Sequence, residues 1–398
     1  MNVSFKLFFW SLVPLFIFTQ NKSIDHPELY LPYLVKKKIG LVVNQNSKID
    51  NIHLIDSLIN LGINVKSIFA PEHGFKINYG AGEKIKNESF KNIPIYSLYG
   101  DKKKPSSTLL ENLDLILFDI QDVGVRFYTY ISTLHYVMEA CAETKTPLIV
   151  LDRDNLNSNY VDGPVLDMNY SSFVGMHQVP VLYGMTIGEY ALMINGENWL
   201  SDSLKCDLKV IPFPKKNNYY ITNSQLNVSP SPNLKTNFSI FLYPTLCFFE
   251  GTVISIGRGT DYPFQVLGAP ELDGIMLSHD FSEYLFSNEF SFTPKSRMES
   301  KNPKFKNKEC FGLKFFLNND SVSIKYNQID LDLIINTYLA YPKENVFFNS
   351  FFNKLAGNST LMKKIKLGWD SERIRNSWAT ELNDFLKIRE KYLLYKRK

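Results

Sequence analysis

The chain has few cysteines, and neither these nor its histidines are spaced as metal ligands. His73, His135 and His177 stand far apart in the sequence, and the cysteines lie in apolar or mixed contexts. We therefore predict no metal and no cofactor. In an exported protein the thiols could form disulfides, but nothing pairs them, and buried free thiols fit their contexts at least as well. The cysteines are Cys141, Cys206, Cys247 and Cys310.

Charge and glycine patterns exclude several function classes. The net charge of +4 over 398 residues is small and evenly spread, which argues against a nucleic-acid partner. No Gly-x-Ser-x-Gly sequence marks a serine hydrolase. The glycine-rich stretches at residues 79–83 and 256–259 lack the context of a phosphate loop or dinucleotide fingerprint. Aromatic residues make up 14% of the chain, a share that suits a large core or a sugar-stacking cleft.

A long uncharged run extends from Leu7 to Phe18, directly after Lys6. It is too short to span a bilayer comfortably, and it has the length of a signal-peptide hydrophobic region. No small-x-small cleavage pattern lies near residue 20, so cleavage and retention as an anchor both stay open. We predict that residues 1–22 are a signal peptide or membrane anchor. The protein is then exported, and is either periplasmic or anchored to the membrane through this segment alone.

Apolar runs separated by helical patterns predict an α/β fold. Such alternation implies βαβ units and a mostly parallel sheet, and after residue 160 shorter segments rich in proline replace it. We predict a Rossmann-like subdomain over residues 36–160, a smaller α+β C-terminal subdomain over 161–398, and a cleft between them. Strands are predicted within residues 38–46, 65–69, 93–98, 113–118 and 147–151, and helices at 53–61, 131–143, 186–195, 273–287, 331–341 and 374–397.

Polar side chains follow the predicted strand at residues 113–118. The apolar run at 115–118 is typical of a strand buried on both faces. Ligands of open α/β sheets bind where strands end and helices begin, and packing gives no reason for a core strand to end in such polar groups. A capped helix start with surface charges is the alternative. We interpret the cluster as part of an active site, composed of Asp119, Gln121, Asp122, Arg126, Tyr128, Thr129 and Tyr130.

A second candidate region follows the predicted strand at 65–69, where Glu72 comes directly after a proline. A partly desolvated carboxyl at a strand end suits proton donation near neutral pH. A structural salt bridge is the alternative. Asp119 and Asp122 lie on the same predicted edge and offer the second carboxyl that glycoside hydrolysis requires. If neither acts, Glu83 and Glu250 are the next candidates.

Arginines and phenols near these carboxyls are candidates for substrate binding. Arg126 and Arg258 could hold a substrate carboxylate through bidentate hydrogen bonds, and Tyr128 and Tyr130 could stack on a sugar. For Arg126 a salt bridge with a nearby aspartate is the structural alternative, and for the aromatic residues it is core packing. The full set of candidates is Asn44, His73, Glu83, Gln121, Arg126, Tyr128, Tyr130, Arg153, Asn233, Glu250 and Arg258.

Nine short motifs occur in one order along the chain. They are APEHG at residues 70–74, AGE at 81–83, YSLYG at 96–100, FDIQDVGVRFYTY at 118–130, VDGP at 161–164, GMTIGE at 184–189, SPSPN at 229–233, FEGT at 249–252 and GRGT at 257–260. This set resembles the DUF1343 family, the exo-β-N-acetylmuramidases of the NamZ type. The resemblance implies a Rossmann-like subdomain, a smaller C-terminal subdomain and a cleft between them. It also implies Glu72 as the catalytic glutamate.

The resemblance further implies release of N-acetylmuramic acid from the non-reducing ends of peptidoglycan fragments, in cell-wall turnover. The partners are then muropeptides and saccharides of N-acetylmuramic acid and N-acetylglucosamine. A non-catalytic periplasmic muropeptide- or sugar-binding protein is the alternative, since two lobes with an aromatic cleft also describe a solute receptor. A hydrolase of the peptide or amide part of muropeptides is a third hypothesis. Glu72 discriminates, because a receptor has no need of a partly buried acid beside two aspartates.

Overall fold

The computed structural model describes residues 22–77, 79–80, 83, 88–214, 229–272, 285–317 and 328–397. The predicted leader up to residue 21, most of the predicted helix at 273–287 and part of the glycine-rich loop at 79–83 lie outside the described residues. Within the described ranges, no helix has both the length and the apolar character needed to cross a bilayer.

The strands are named in chain order. They are β1 (Lys38–Val43), β2 (Lys48–Ile49), β3 (Ile52–His53), β4 (Asn64–Ala70), β5 (Glu88–Phe90), β6 (Ile93–Ser97), β7 (Leu115–Asp119), β8 (Leu148–Leu151), β9 (Val161–Asp162), β10 (Leu182–Tyr183), β11 (Leu208–Ile211), β12 (Val266–Ala269), β13 (Leu285–Phe292) and β14 (Cys310–Leu317).

The helices follow the same convention. They are α1 (Leu54–Asn60), α2 (Ser107–Leu110), α3 (Tyr130–Thr144), α4 (Ile187–Gly196), α5 (Asn237–Leu246), α6 (Leu331–Ala340), α7 (Phe351–Ala356), α8 (Thr360–Lys366), α9 (Ser371–Asn376) and α10 (Ala379–Glu390).

A seven-stranded sheet in the order β11-β8-β7-β1-β4-β6-β5 forms the centre of the protein. Its strands run parallel except β5, which pairs antiparallel with β6. Along β7, Leu115 and Leu117 join one buried apolar cluster, whereas Ile116 and Phe118 join another. Successive side chains of a strand point to opposite faces, so both faces of the sheet are covered. The predicted α/β fold is confirmed.

The sheet contains one strand from beyond residue 160. β11 pairs in parallel with β8, although the polar and proline-rich pattern begins before it. Helix α4 packs against both strands and begins with a capping box, in which Thr186 and Glu189 each bond the other's backbone. The central sheet therefore takes residues from both sides of residue 160.

A three-stranded antiparallel sheet, in the order β12-β14-β13, belongs to the C-terminal part. The prediction of a helix over 273–287 is wrong at residues 285–287, which begin β13. Phe286 faces Phe316 of β14, with ring centroids 6.0 Å apart. Cross-strand aromatic pairing therefore outweighs the helical spacing of the apolar residues.

The predicted C-terminal helix at 374–397 is also corrected. The chain forms two helices, α9 and α10, with a break at Ser377 and Trp378. The Ser377 hydroxyl donates to the Ile374 carbonyl at 2.5 Å, and the Trp378 ring is buried in the core. The break thus allows the indole to pack inward.

The four cysteines are free and buried.

Candidate active site

A cleft of about 1100 Å³ lies beside the residues that follow β4, β6 and β7. Residues between 231 and 304, from the C-terminal part of the chain, form much of its remaining wall. Polar and aromatic side chains that line it include Glu72, His73, Glu83, Tyr99, Lys103, Tyr128, Thr129, Phe173, Tyr243, Glu250, Arg258, Lys301 and Lys304.

Glu72 lies in this cleft, two residues after β4, and only 7% of its surface is exposed. The Thr129 hydroxyl donates a hydrogen bond to Oε2 of Glu72 at 2.6 Å. Among the described residues no group donates to Oε1, which leaves that oxygen available to a substrate. The next two residues, His73 and Gly74, have φ of 72° and 76°. A non-glycine residue in this left-handed region costs about 1–3 kcal/mol, and such strain concentrates at functional sites.

His73 contributes a neutral imidazole to the cleft. Its Nδ1 lies 2.9 Å from the Tyr79 carbonyl oxygen, so this nitrogen carries the proton and donates. Burial lowers the pKa of His73, although the charge of Glu72 opposes that effect. The ring therefore stays uncharged at neutral pH, and its Nε2 can accept a hydrogen bond from a sugar hydroxyl.

Glu250 and Arg258 form an ion pair in the same cleft, through Arg258 Nε and Glu250 Oε1. Burial alone would raise the pKa of Glu250, but Arg258 and Lys304 outweigh it and hold that pKa below its usual range. Glu250 is therefore ionised at neutral pH. In the described part of the chain only the Nε atom of the Arg258 guanidinium is hydrogen-bonded. The guanidinium carbon lies 5.0 Å from the centroid of the Phe264 ring. Both Nη groups thus remain available for a bidentate anion.

Lys304 holds the backbone that carries Glu250. Its Nζ donates to the carbonyls of Phe249 and Thr252 at 2.8 Å, Ile254 at 3.1 Å and Glu250 at 3.2 Å. Burial lowers the pKa of Lys304, and Glu250 opposes this shift. An ammonium group has three donors, and four carbonyls share them here. Lys304 therefore fixes the loop that carries Glu250.

Two buried phenols support the floor beneath Glu72. Tyr128 and Tyr130 both donate to the Pro230 carbonyl, at 2.9 and 3.1 Å. Asn44 in turn donates to the Tyr130 hydroxyl at 3.4 Å. Burial raises the pKa of both phenols, so they remain protonated donors. Of these residues only Tyr128 lines the cleft; Tyr130 and Asn44 hold it from behind.

The structure places Asp119 in a structural ion pair outside the cleft lining. Arg153 Nε and Nη2 each donate to one oxygen of Asp119 at 2.6 Å, and both residues are fully buried. This pair joins the ends of β7 and β8, which are adjacent strands. The two parallel hydrogen bonds make this a bidentate structural ion pair. Neither Asp119 nor Arg153, both predicted site residues, lines the cleft.

Asp122 is also buried away from the cleft lining. Its Oδ2 accepts from the Tyr183 hydroxyl and from the Gly124 amide, while Oδ1 has no partner among the described groups. Burial raises the pKa of Asp122 to about 6, even though both hydrogen bonds favour the ionised form. Gln121 beside it donates to the carbonyls of Asp122 and Asp154, each at 2.9 Å. These contacts organise the loop after β7.

Replacing Asp122 by asparagine should alter stability rather than turnover. Between pH about 4 and 6 the unfolded chain loses the carboxyl proton that the native state keeps, so wild-type stability falls as the pH rises. Asparagine does not titrate. From pH 4 to 7 we expect the stability of the variant to rise relative to wild type by about 2 kcal/mol, measured by urea unfolding. A constant difference between the two proteins across that range would contradict the raised pKa.

Arg126 makes no contact with either predicted aspartate. Its Nη1 donates to the carbonyls of Pro164 and Val179 at 2.7 and 2.8 Å, and its Nη2 to those of Leu355 and Ala356 at 2.8 Å. The side chain is completely buried. Arg126 therefore does not form the salt bridge with an aspartate that the sequence offered as an alternative. Its four hydrogen bonds to carbonyls connect three segments of the chain instead.

Glu83 and Asn233 contact the loop at residues 295–304. Lys301 pairs with Glu83 at 2.9 Å, and Asn233 donates to the Glu299 carbonyl at 3.1 Å. A β-carbon on Gly80 would lie 2.9 Å from that same carbonyl oxygen. The loop therefore reaches from the C-terminal part to the segment around residues 80–83. Asn233 is not part of the cleft lining.

Two residues of the site, Lys304 and Tyr99, and one contact of Thr129 were not predicted from the sequence. Thr129 was within the predicted cluster, yet nothing indicated that its hydroxyl bonds Glu72. Lys304 lies in a lysine-rich stretch that resembles a solvated loop. Tyr99 lines the cleft because it follows β6. The rule that ligands bind where strands end could have identified it from the sequence.

Family models match nearly all of the described chain. One, described as the N-terminal part of the exo-β-N-acetylmuramidase NamZ, matches residues 39–237, and another, described as its C-terminal part, matches residues 241–395. The chain belongs to the NamZ family. It is therefore a glycosidase, and the sequence resemblance is confirmed.

Individual members of the NamZ family are similar over most of the chain. The peptidoglycan β-N-acetylmuramidase NamZ of Bacillus subtilis (strain 168) is 37% identical over 381 residues, covering 92% of this chain and 89% of that protein. A crystal structure of a DUF1343 family protein from Bacteroides fragilis NCTC 9343 has a TM-score of 0.83 and 39% identity, covering 95% of this chain and 99% of that one. A second from the same organism has a TM-score of 0.81 and 27% identity, with coverage of 95% and 100%.

Proposed function

We propose that this glycosidase releases N-acetylmuramic acid from the non-reducing ends of peptidoglycan fragments during cell-wall turnover. The observation that carries the proposal is the carboxyl of Glu72. One of its oxygens is held by Thr129 and the other is open to the cleft. A carboxyl placed in this way can protonate a glycosidic oxygen.

Glu250 is our proposal for the second carboxyl. Glycosidases use one acid and one carboxylate in different environments. Glu250 lines the same cleft as Glu72, and its pairing with Arg258 keeps it ionised. It can therefore attack the anomeric carbon or activate a water molecule. Asp119 and Asp122 are less suited, because both are bonded to other side chains outside the cleft lining.

Exo action requires that the cleft end beyond the terminal sugar. The loop at 295–304 supports this, because Lys301 pairs with Glu83 and Glu299 lies against Gly80. These contacts join two parts of the chain that both line the cleft. A longer glycan could not pass through that side without breaking them.

Arg258 is our proposal for the group that recognises muramic acid. This sugar differs from N-acetylglucosamine by a lactyl ether, which adds a carboxylate, and the two open Nη groups of Arg258 match a carboxylate bidentately. We expect Arg258→Ala to lower kcat/KM for a muramic acid glycoside by about 30-fold to 1000-fold. The N-acetylglucosamine counterpart should lose less, because it shares only the effect that losing Arg258 has on Glu250.

The matched control for Arg258 is Arg297. It also pairs with a carboxylate, Asp261 at 2.7 Å, but it does not line the cleft. Arg297→Ala should leave kcat/KM for both sugars near the wild-type value. Equal losses on both sugars in Arg258→Ala would mean that the guanidinium serves only to hold Glu250.

The wild-type protein tests the overall proposal. Incubation with a disaccharide of N-acetylmuramic acid β-linked to N-acetylglucosamine should release both free sugars, detected by mass spectrometry. Tight binding without release would favour the receptor alternative. Release of peptide from a muropeptide, with the glycosidic bond intact, would favour the amidase alternative.

We also propose that the protein acts outside the cytoplasm, directed by residues 1–22. The support is the uncharged run from Leu7 to Phe18 after Lys6. A fusion of residues 1–30 to a reporter active only after export should give signal. A stable but silent fusion would contradict export.

A further inference from the structure

An aromatic surface lines part of the cleft that the proposed chemistry does not use. It consists of Tyr99, Lys103 and Phe173, which we call the aromatic platform. The rings of Tyr99 and Phe173 have centroids 5.8 Å apart, and Lys103 Nζ lies 5.0 Å from the Phe173 ring centroid. All three residues are partly exposed.

The chain presents Phe173 at the tip of a tight turn. Ser172 and Gly175 exchange backbone hydrogen bonds of 2.8 and 2.9 Å, which leaves Phe173 and Val174 as the two central residues. Such positions favour glycine, asparagine, aspartate, proline or serine. Both residues are partly exposed and line the cleft, and Val174 also packs against the core. Turn geometry therefore does not account for a phenylalanine at this place.

The platform is fixed next to the proton donor. The Ser132 hydroxyl donates to the Phe173 carbonyl at 2.8 Å, and Ser132 lies in the first turn of α3. Thr129, which bonds Glu72, immediately precedes that helix, about 5 Å along its axis from Ser132. The ring of Tyr136 on the same helix stacks on Phe173, with centroids 6.3 Å apart. One rigid element thus positions both Glu72 and Phe173.

We propose that the aromatic platform binds the leaving-group saccharide, a neutral N-acetylhexosamine; this inference rests on the proposed function. Glu72 donates its proton to the oxygen that joins the two sugars, so the sugar beyond that oxygen must lie beside Glu72. A neutral hexosamine exposes C–H faces that pack on aromatic rings. Lys103 adds donors for its hydroxyl or acetamide oxygens.

The test compares two substrates with Phe173→Ala. One is the muramyl-glucosamine disaccharide, whose leaving group fills the platform, and the other is β-N-acetylmuramyl fluoride, whose leaving group does not reach it. We expect kcat/KM for the disaccharide to fall by about tenfold and that for the fluoride to stay within about twofold of wild type. Phe173→Tyr should restore turnover of the disaccharide.

The matched control is Tyr33→Ala. Tyr33 is an exposed aromatic residue with a lysine, Lys209, 4.6 Å from its ring centroid, and it lies outside the cleft lining. This variant should leave both substrates unaffected. If Phe173→Ala leaves the ratio of the two kcat/KM values unchanged, this inference is overturned and the proposed function is not affected. Wild-type protein that cleaves neither substrate would contradict the proposed function, and this inference with it.

Discussion

Glu72→Gln is expected to fold normally and to lose turnover of an unactivated muramyl glycoside by about 100-fold to 10,000-fold. The amide cannot supply the proton that the glycosidic oxygen needs as the bond breaks. It can still accept the hydrogen bond from Thr129, which in the wild type joins Oε2 at 2.6 Å. The thermal unfolding midpoint should therefore change little.

Leaving-group dependence provides the internal control for Glu72. A nitrophenyl glycoside needs little protonation to depart, so the loss caused by Glu72→Gln should be much smaller on it. Thr129→Val, which removes only the donor to Oε2, should give an intermediate loss on the unactivated substrate. Wild-type activity of Glu72→Gln on the unactivated substrate would contradict the assignment of Glu72 as the general acid.

Arg126→Ala is expected to destabilise the protein by about 3–5 kcal/mol. The substitution removes a donor from four carbonyl oxygens inside a site that is fully buried, although the Val179 oxygen keeps the Leu166 amide at 3.2 Å. Arg126→Lys should also destabilise, because Nη1 and Nη2 of the planar guanidinium each bond a separate pair of carbonyls, and a single ammonium nitrogen cannot occupy both positions. Urea unfolding at constant pH measures both effects.

Arg373 offers a matched exposed arginine for that experiment. It lies over the ring of Trp369 at 3.8 Å, and its replacement by alanine should cost about 1 kcal/mol or less. If Arg126→Ala instead unfolds at the wild-type urea concentration but no longer binds muramic acid glycosides, the substrate-binding role predicted from the sequence stands.

The fold was largely predictable because its strands are strongly patterned. The run at 115–118 is apolar on both faces, and the structure buries both faces of β7. The helix at 186–195 carries its start signal locally, in Thr186 and Glu189. By contrast, the break at Trp378 depends on where an indole fits in the core. That information is tertiary and does not appear in helical spacing.

The position of Glu72 in the cleft was predictable from the sequence, whereas the partners of the neighbouring side chains were not. Glu72 follows a buried strand, and the strand-end rule places it in a crevice. Asp119 ends another such strand and Arg126 follows it, yet both side chains point into the protein. Their partners, Leu355 and Arg153, are distant in the sequence. Sequence proximity to a strand end therefore indicates an edge of the sheet, but it does not indicate which way a side chain turns.

The position of Lys304 limits how the cleft of this enzyme can change during evolution. Its loop also carries Lys301, which pairs with Glu83 across the cleft, while Lys304 itself holds four carbonyls around Glu250. The width of the opening and the position of Glu250, the proposed second carboxylate, are thus set by residues three apart on one loop. An insertion that opened the cleft to longer glycans would also displace Glu250. Relatives with a wider opening should therefore also carry compensating changes around residues 249–254.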